Sequence, residues 1–200
     1  NRPGKNHGQG GSNPQGHYYP GAAGLFEGWV QDNVGPGATT ATCEFNHGND
    51  GVIGGGMLAD DFTLLPIIFW KRKLPPDLPR WGAANKQFMR DNYRRVMDIT
   101  GPVHEIPCPD SRVTLSATVR DKFGIPVARL SGATHPETVR TAAYMNGRAK
   151  EWLRAAGAVK VWGDAPGLYL SAGQHQAGTC RMGHDPQTSV VDLWCQVHGH

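Results

Sequence analysis

Thr134 to Gly157, THPETVRTAAYMNGRAKEWLRAAG, is the stretch from which the fold class follows. Thr134 suits a helix cap, Pro136 suits a first helical turn, and Glu137 stands where a capping box places its carboxylate. Val139, Ala142, Ala143, Ala149, Trp152, Leu153 and Ala156 then make one apolar stripe at helical spacing, and Gly157 supplies the stop. Beyond it, Ala158–Trp162 and Leu168–Ala172 read as short strands leading into His175. On the N-terminal side Val103–Ile106 and Val113–Val119 also read as strands. Asp121–Gly124 (DKFG) has turn chemistry before a further strand, Pro126–Leu130, so a hairpin is expected there.

Farther upstream, Trp81, Ala84, Phe88, Val96 and Ile99 fall near helical spacing, which predicts a helix over Pro79–Asp98 with Gly101 and Pro102 as its stop. Asp61–Trp70, DFTLLPIIFW, is the most apolar window. Its Pro66 would interrupt a ladder, so an edge strand or extended segment is expected. From Asn1 to Gly56 no helical period persists, although Thr39–Phe45 (TTATCEF) has strand propensity. Helices joined by antiparallel strands give an α+β class: a mixed, largely antiparallel sheet with helices on one face. Residues 1–60 are expected to be an irregular glycine-rich segment beside a domain spanning 61–200. GVIGGG at Gly51–Gly56 is no dinucleotide fingerprint, because no helix-period segment follows it.

The composition bounds the function. The 27 glycines and 15 prolines with 38% hydrophobic residues imply much irregular chain. A net charge of +3 without a concentrated basic face argues against nucleic acid as partner. Cys43, Cys108, Cys180 and Cys195 form no C-x-x-C pair and are expected as free thiols. No apolar run reaches the roughly 18 residues of a membrane span. The start without methionine and the ending at His198–His200 suggest a piece of a longer chain, whose cellular location the residues leave undetermined.

Chemistry concentrates in His175–Gly183, HQAGTCRMG. Histidine is the side chain best suited to take a proton near neutral pH, and Gly178 with Thr179 offers a backbone that a planar ligand can approach closely. The segment continues with Asp185–Pro186, then Ser189, Val190, Val191, Asp192, and finally Val197, His198, Gly199. This run resembles the C-terminal signature of the glucose-methanol-choline (GMC) oxidoreductases, in which H-x-x-G-T-x-R-M-G precedes D-P, S-V-V-D and R-V-H-G. PRWG at Pro79, DKFGIPVARL at Asp121–Leu130 and KEWLRAAGA at Lys150–Ala158 are similar to the bacterial gluconate and sugar dehydrogenase branch. PGKN at Pro3–Asn6 is similar to the family's G-x-N turn beside the flavin.

The resemblance implies the family's substrate-binding C-terminal domain and an FAD-dependent enzyme that oxidises a CH-OH group of an alcohol or sugar. In that reading His175 is the catalytic base and Asn6, Gly178 and Thr179 lie on the cofactor side. A dehydrogenase feeding an electron-acceptor subunit or cytochrome is favoured over an oxidase. The family's second catalytic histidine or asparagine would lie beyond His200, the nucleotide-holding Rossmann portion is expected outside this chain, and the family's R-V-H-G arginine is Gln196. Alone, these residues should neither retain FAD nor turn over. The alternative is a non-catalytic binding or interaction module derived from such an enzyme.

Blander readings compete elsewhere. His184, His198 and His200 have no metal-ligand spacing and are expected as exposed loop histidines. Asp185 reads as turn chemistry, Cys180 as a buried inert thiol before a reactive one, and Arg181 as a loop anchor. Trp70, Trp81, Trp152 and Trp162 are expected in the core.

Overall fold

The computed structural model describes residues 8–32, 34, 38–61, 65–163, 167–168 and 175–199. The elements run β1 (His17–Tyr18), β2 (Gly21–Leu25), β3 (Ala41–Thr42), β4 (Leu58–Asp60), α1 (Pro66–Arg72) and α2 (Ala83–Asn92). They continue with β5 (Val96–Thr100), β6 (Val103–His104), β7 (Arg112–Arg120), β8 (Pro126–Ser131), α3 (Pro136–Ala155) and β9 (Lys160–Trp162). The class is α+β, as the sequence predicts. Among the described residues no helix is long and apolar enough to cross a membrane.

The chain divides into two compact units. The first, here the loop unit, comprises Asn1–Tyr18, His104–Val139 and Gly167–His200; the second, the sheet unit, comprises Tyr19–Val103 and Arg140–Pro166.

The sheet unit is built on an antiparallel sheet of order β3-β4-β5-β2-β9. Its strand β2, GAAGL, lies in the segment expected to be irregular. Glycine and alanine are depleted in strands, so propensity alone hides it. The structure supplies the reason for the small residues: a Cβ on Gly24 would touch Leu153 of α3 at 3.0 Å. A glycine inside a strand marks such a close approach. Asn146 of α3 also donates to the Gly21 carbonyl. Successive strand residues point to opposite faces. Thus Gly24 meets α3, while Ala23 and Leu25 join the cluster of Phe69, Leu74, Val96 and Trp162 on the other side. The helices, expected on one face, therefore stand on both.

Two further expectations give way here. The described end of the Asp61–Trp70 window is helix and not edge strand: Pro66 opens α1 at its first position, where the missing N–H costs nothing and the fixed φ is pre-set for a helix. Phe69 is fully buried, stacked 6.4 Å from Phe88 and edge-on to Tyr93 at 5.6 Å. The helix expected over Pro79–Asp98 is shorter, α2 ending at Asn92 before a 3₁₀ turn, Tyr93–Arg95. Val96 and Ile99, which also fit a helical period, belong to β5 and pair with β2 and β4. Trp81 precedes α2, so it does not share that helix's buried face, and it is 83% exposed. Trp70 is also exposed, whereas Trp162 is buried and donates to the Lys73 carbonyl at 3.0 Å.

Lys73 reaches across to pair with the fully buried Asp98. Burial outweighs this partner: it pushes the Asp98 carboxyl up to about 6, with Asp61 adding to the rise and Lys73 opposing it.

Helix α3 begins at Pro136, which lies in its first turn as expected, but the residue before it is His135, whose carbonyl accepts from Thr138 and Val139 and whose Nδ1 accepts from Glu137 N. His135, not Thr134, therefore holds the cap position. At the other end Gly157, φ +94°, closes the helix: Ala158 N donates to Leu153 O and Gly157 N to Arg154 O. Ala142, Met145, Ala149 and Leu153 form its buried stripe.

The hairpin β7–β8 has the expected strands, in register from Arg112–Ser131 to Leu115–Ala128. Asp121 shapes its turn by accepting from Phe123 N and Ile125 N at 2.8 and 3.0 Å.

Candidate active site

All candidate-site residues that the structure describes belong to the loop unit, where the segment before β1, also expected to be irregular, forms the central ribbon. On one side Val113 N donates to Gly11 O at 2.7 Å and Asn13 N to Ser111 O at 3.1 Å, tying the ribbon to the start of β7. On the other side it carries the HQAGTCRMG loop. Gln15 and Ala177 exchange both backbone hydrogen bonds, at 3.1 and 2.9 Å, and Gly11 N donates to Thr179 O at 3.1 Å. Arg181 donates to the Gln9 side chain, and Gln9 donates to Gln187 O at 2.7 Å. Arg181 is thus a loop anchor.

Between these bonds the two backbones press together. Gly178 has φ +90°, and a Cβ there would collide with the Asn13 carbonyl. Asn13 itself has φ +55°. The glycine of H-Q-A-G-T is therefore required by the chain's own packing, a demand that its residue type alone does not reveal. Thr179 is half-buried with its carbonyl engaged by Gly11.

His175 stands at the exposed start of the loop, itself left-handed at φ +58°. A non-glycine residue held there carries roughly 1–3 kcal/mol of backbone strain, and such strain gathers at functional sites. Antiparallel pairing through Gln15 and Ala177 places the residue two beyond Gln15 opposite the residue two before Ala177. Those residues are His17 and His175, and their rings meet edge to face, centroids 5.0 Å apart and planes at 77°.

Sequence reading missed His17, because it sits in a segment without period or motif. Its neighbours are fixed: Gly16 N donates to Glu105 Oε2 at 2.6 Å, and Tyr18 Oη donates to Gly167 O at 2.7 Å while accepting from Gly167 N at 2.8 Å. Burial holds the Tyr18 hydroxyl above its usual range, the Gly167 backbone opposing and the Glu105 charge adding, so Tyr18 is a neutral strut and not a base.

The rest of the signature forms a hydrogen-bonded knot. Ser189 Oγ lies 2.6 Å from Asp185 O and 2.8 Å from His198 Nε2. Ser189 thereby links the Asp185 carbonyl to the His198 ring. Expected as an exposed loop histidine, His198 is instead half-buried and structural; His184 is exposed, and His200 lies outside the described residues. Asp185 and Asp192 are turn formers, accepting from Gln187 N and from Trp194 N and Gln196 N. The cysteines are free thiols, and Cys180, expected buried, is exposed because the loop's inner contacts are made by the backbone. No group of three or more metal-ligating side chains occurs among the described residues. Asn6 and residues 169–174 lie outside the described residues, and with them the expected turn at Pro3–Asn6 and the strand after Leu168.

A family model described as GMC oxidoreductase matches residues 107–200. Over these residues the chain is similar to the GMC oxidoreductases. This chain is 32% identical to a 2-methyl-1,2-propanediol dehydrogenase of Mycolicibacterium austroafricanum, over 58% of this chain and 21% of that protein. It is 33% identical to a 6'''-hydroxyparomomycin C oxidase of Streptomyces lividus, over 71% of this chain and 28% of that protein. To a gluconate 2-dehydrogenase flavoprotein of Pantoea cypripedii it is 23% identical, over 76% and 26% respectively. The chain thus spans less than a third of the length of these relatives. The GMC signature and the His17–His175 pair lie in the same unit, but His17 precedes the matched residues.

The sheet unit has grooves of its own. One of about 450 Å³ is lined by Phe45, Arg148, Glu151 and Trp152 among others. Its Arg148 is engaged by Glu151 at 2.7 Å and lies over the Tyr144 ring at 4.8 Å, so that guanidinium is already committed.

Proposed function

We propose that this chain is the substrate-side portion of an FAD-dependent oxidoreductase that oxidises the CH-OH group of an alcohol or sugar, with His175 as the base. The carrying observation is that His175 is exposed at the start of a loop whose backbone is hydrogen-bonded to the ribbon at Ala177 and Thr179. A base must be both accessible and placed. His175 meets both conditions, and histidine is ionisable in the right range of pH.

The residues fit one end of the cofactor. His175, Gln176 and Ala177 form an exposed edge that a flat ring system could cover, with Gly178 and Thr179 at its inner border. The glycines of Gly51–Gly56 do not fit the other end: Gly55 and Gly56 are packed against the carbonyls of Phe45 and Pro102, and the run leads into strand β4, not a helix. We therefore assign the pyrophosphate-holding portion to sequence outside these residues. FAD, when bound, supplies the hydride acceptor. His175 takes the hydroxyl proton at a ring nitrogen as the carbon gives up hydride, so the developing alkoxide is not left unneutralised. The family expectation that Asn6, Gly178 and Thr179 stand on the flavin side, and that electrons leave to an acceptor subunit or cytochrome, belongs to the same proposal.

The test is flavin reduction by a panel of alcohols and sugars in the full-length protein, wild type against His175→Ala. Unchanged reduction rates would remove His175 from the chemistry.

A further inference from the structure

We propose that His17 is a positioning residue for His175: its ring is the wall that fixes the direction in which the base presents its nitrogen. The proposal rests on the reading of His175 as base. An exposed histidine on a loop samples several rotamers, and a base that samples rotamers spends most of its time misdirected. The geometry of the loop unit removes that freedom. The Gln15–Ala177 exchange sets the register that brings the two imidazoles opposite each other, and their edge-to-face contact at 5.0 Å is a favoured arrangement for planar rings.

His17 can act as a wall because its own strand cannot yield. It is half-buried, and both chain neighbours are bound to buried or backbone partners: Gly16 to Glu105, Tyr18 to Gly167 in both directions. His175 is itself held left-handed at φ +58°, and among the described residues the aromatic ring it meets is that of His17.

The role asked of His17 is that of a flat ring, which separates the proposal from proton relay. His17→Phe keeps the ring and removes both nitrogens; His17→Ala removes the wall. In the full-length protein, His17→Ala should slow flavin reduction at saturating substrate by about 10- to 100-fold with KM little changed, the size of loss that misplacement by about an ångström produces. His17→Phe should restore the rate to within about threefold. Independently of turnover, ¹⁵N-resolved spectra of labelled histidine should show the His175 ring passing from one averaged environment to a broadened, rotamer-exchanging one in His17→Ala and back in His17→Phe. Parental spectra and rates in His17→Ala would overturn the proposal. So would failure of His17→Phe to restore a rate lost in a folded His17→Ala protein. The ring spectra still report the contact if His175→Ala shows that His175 is not the base, so the two readings fail separately.

Discussion

The two units of this chain are held together by different forces. In the sheet unit the interior is apolar: Phe69, Leu74, Val96, Leu58, Met145 and Leu153 are all buried. In the loop unit the buried polar side chains are Ser12, Asn13, Glu105, Ser111, Thr134, Thr138 and Ser189, with Pro14, Tyr18 and Val190 the buried apolar ones among the described residues. One interior is closed by burying apolar area, the other by satisfying backbone groups. Hydrophobic contact tolerates a sliding fit, whereas a hydrogen bond fails over a few tenths of an ångström. A site that must aim one imidazole is better built from the second material.

That contrast can be broken by experiment. The largest effect expected is on chemistry: His175→Ala should lower the rate of flavin reduction in the full-length protein by about 10²- to 10⁴-fold, and a smaller loss would mean that the clamped loop serves another purpose. Next comes the apolar interior. Phe69→Ala should destabilise the chain by about 3–5 kcal/mol, read from its urea midpoint; a cost below about 1 kcal/mol would deny the sheet unit its apolar core. In the loop unit the sensitive atoms are backbone. Gly178→Ala adds a Cβ against the Asn13 carbonyl at a left-handed φ and should cost at least about 1–3 kcal/mol. Faster amide exchange at Gln15 and Ala177 would report it, and unaltered exchange would show that the ribbon and loop do not depend on their close approach.

The smallest effect concerns pH. Asp98 has its folded value raised to about 6, above the roughly 3.9 of an unfolded chain, so the folded state holds the extra proton between those values. The Asp98 contribution to stability is therefore largest at low pH and is lost as pH rises through about 6. Thermal midpoints of wild type should climb by a few degrees relative to Asp98→Asn between pH 7 and pH 5. Parallel curves would mean that Lys73 outweighs the burial.

The same contrast explains what the sequence disclosed. Elements with strong periods or local punctuation were legible: α3 with its stripe and Gly157, the β7–β8 hairpin around Asp121, β9 at Trp162. The α1 helix was hidden because Pro66 reads equally as a ladder breaker and as a first helical residue. The β2 strand was hidden because its small residues exist for α3 and not for the strand. In the site, His175 and its loop were singled out by the H-x-x-G-T-x-R-M-G run, whose residues lie close together in the chain. His17 was not, because what selects it is the register of two segments far apart in the chain, and no local pattern encodes register between such segments.

The ribbon and its loop also set an order of events. Gln9 meets Gln187 and Arg181 across separations of 178 and 172 residues. At a synthesis rate of about 5–20 residues per second, the ribbon waits roughly ten seconds or more on the ribosome for the loop it is to clamp, while β2 to β9 have already emerged. The aimed imidazole is thus set after the strands of the sheet unit, and the glycine-rich segment before β1 must stay soluble and uncommitted until then. Its polar composition, a poor recipe for a core, is well matched to that wait.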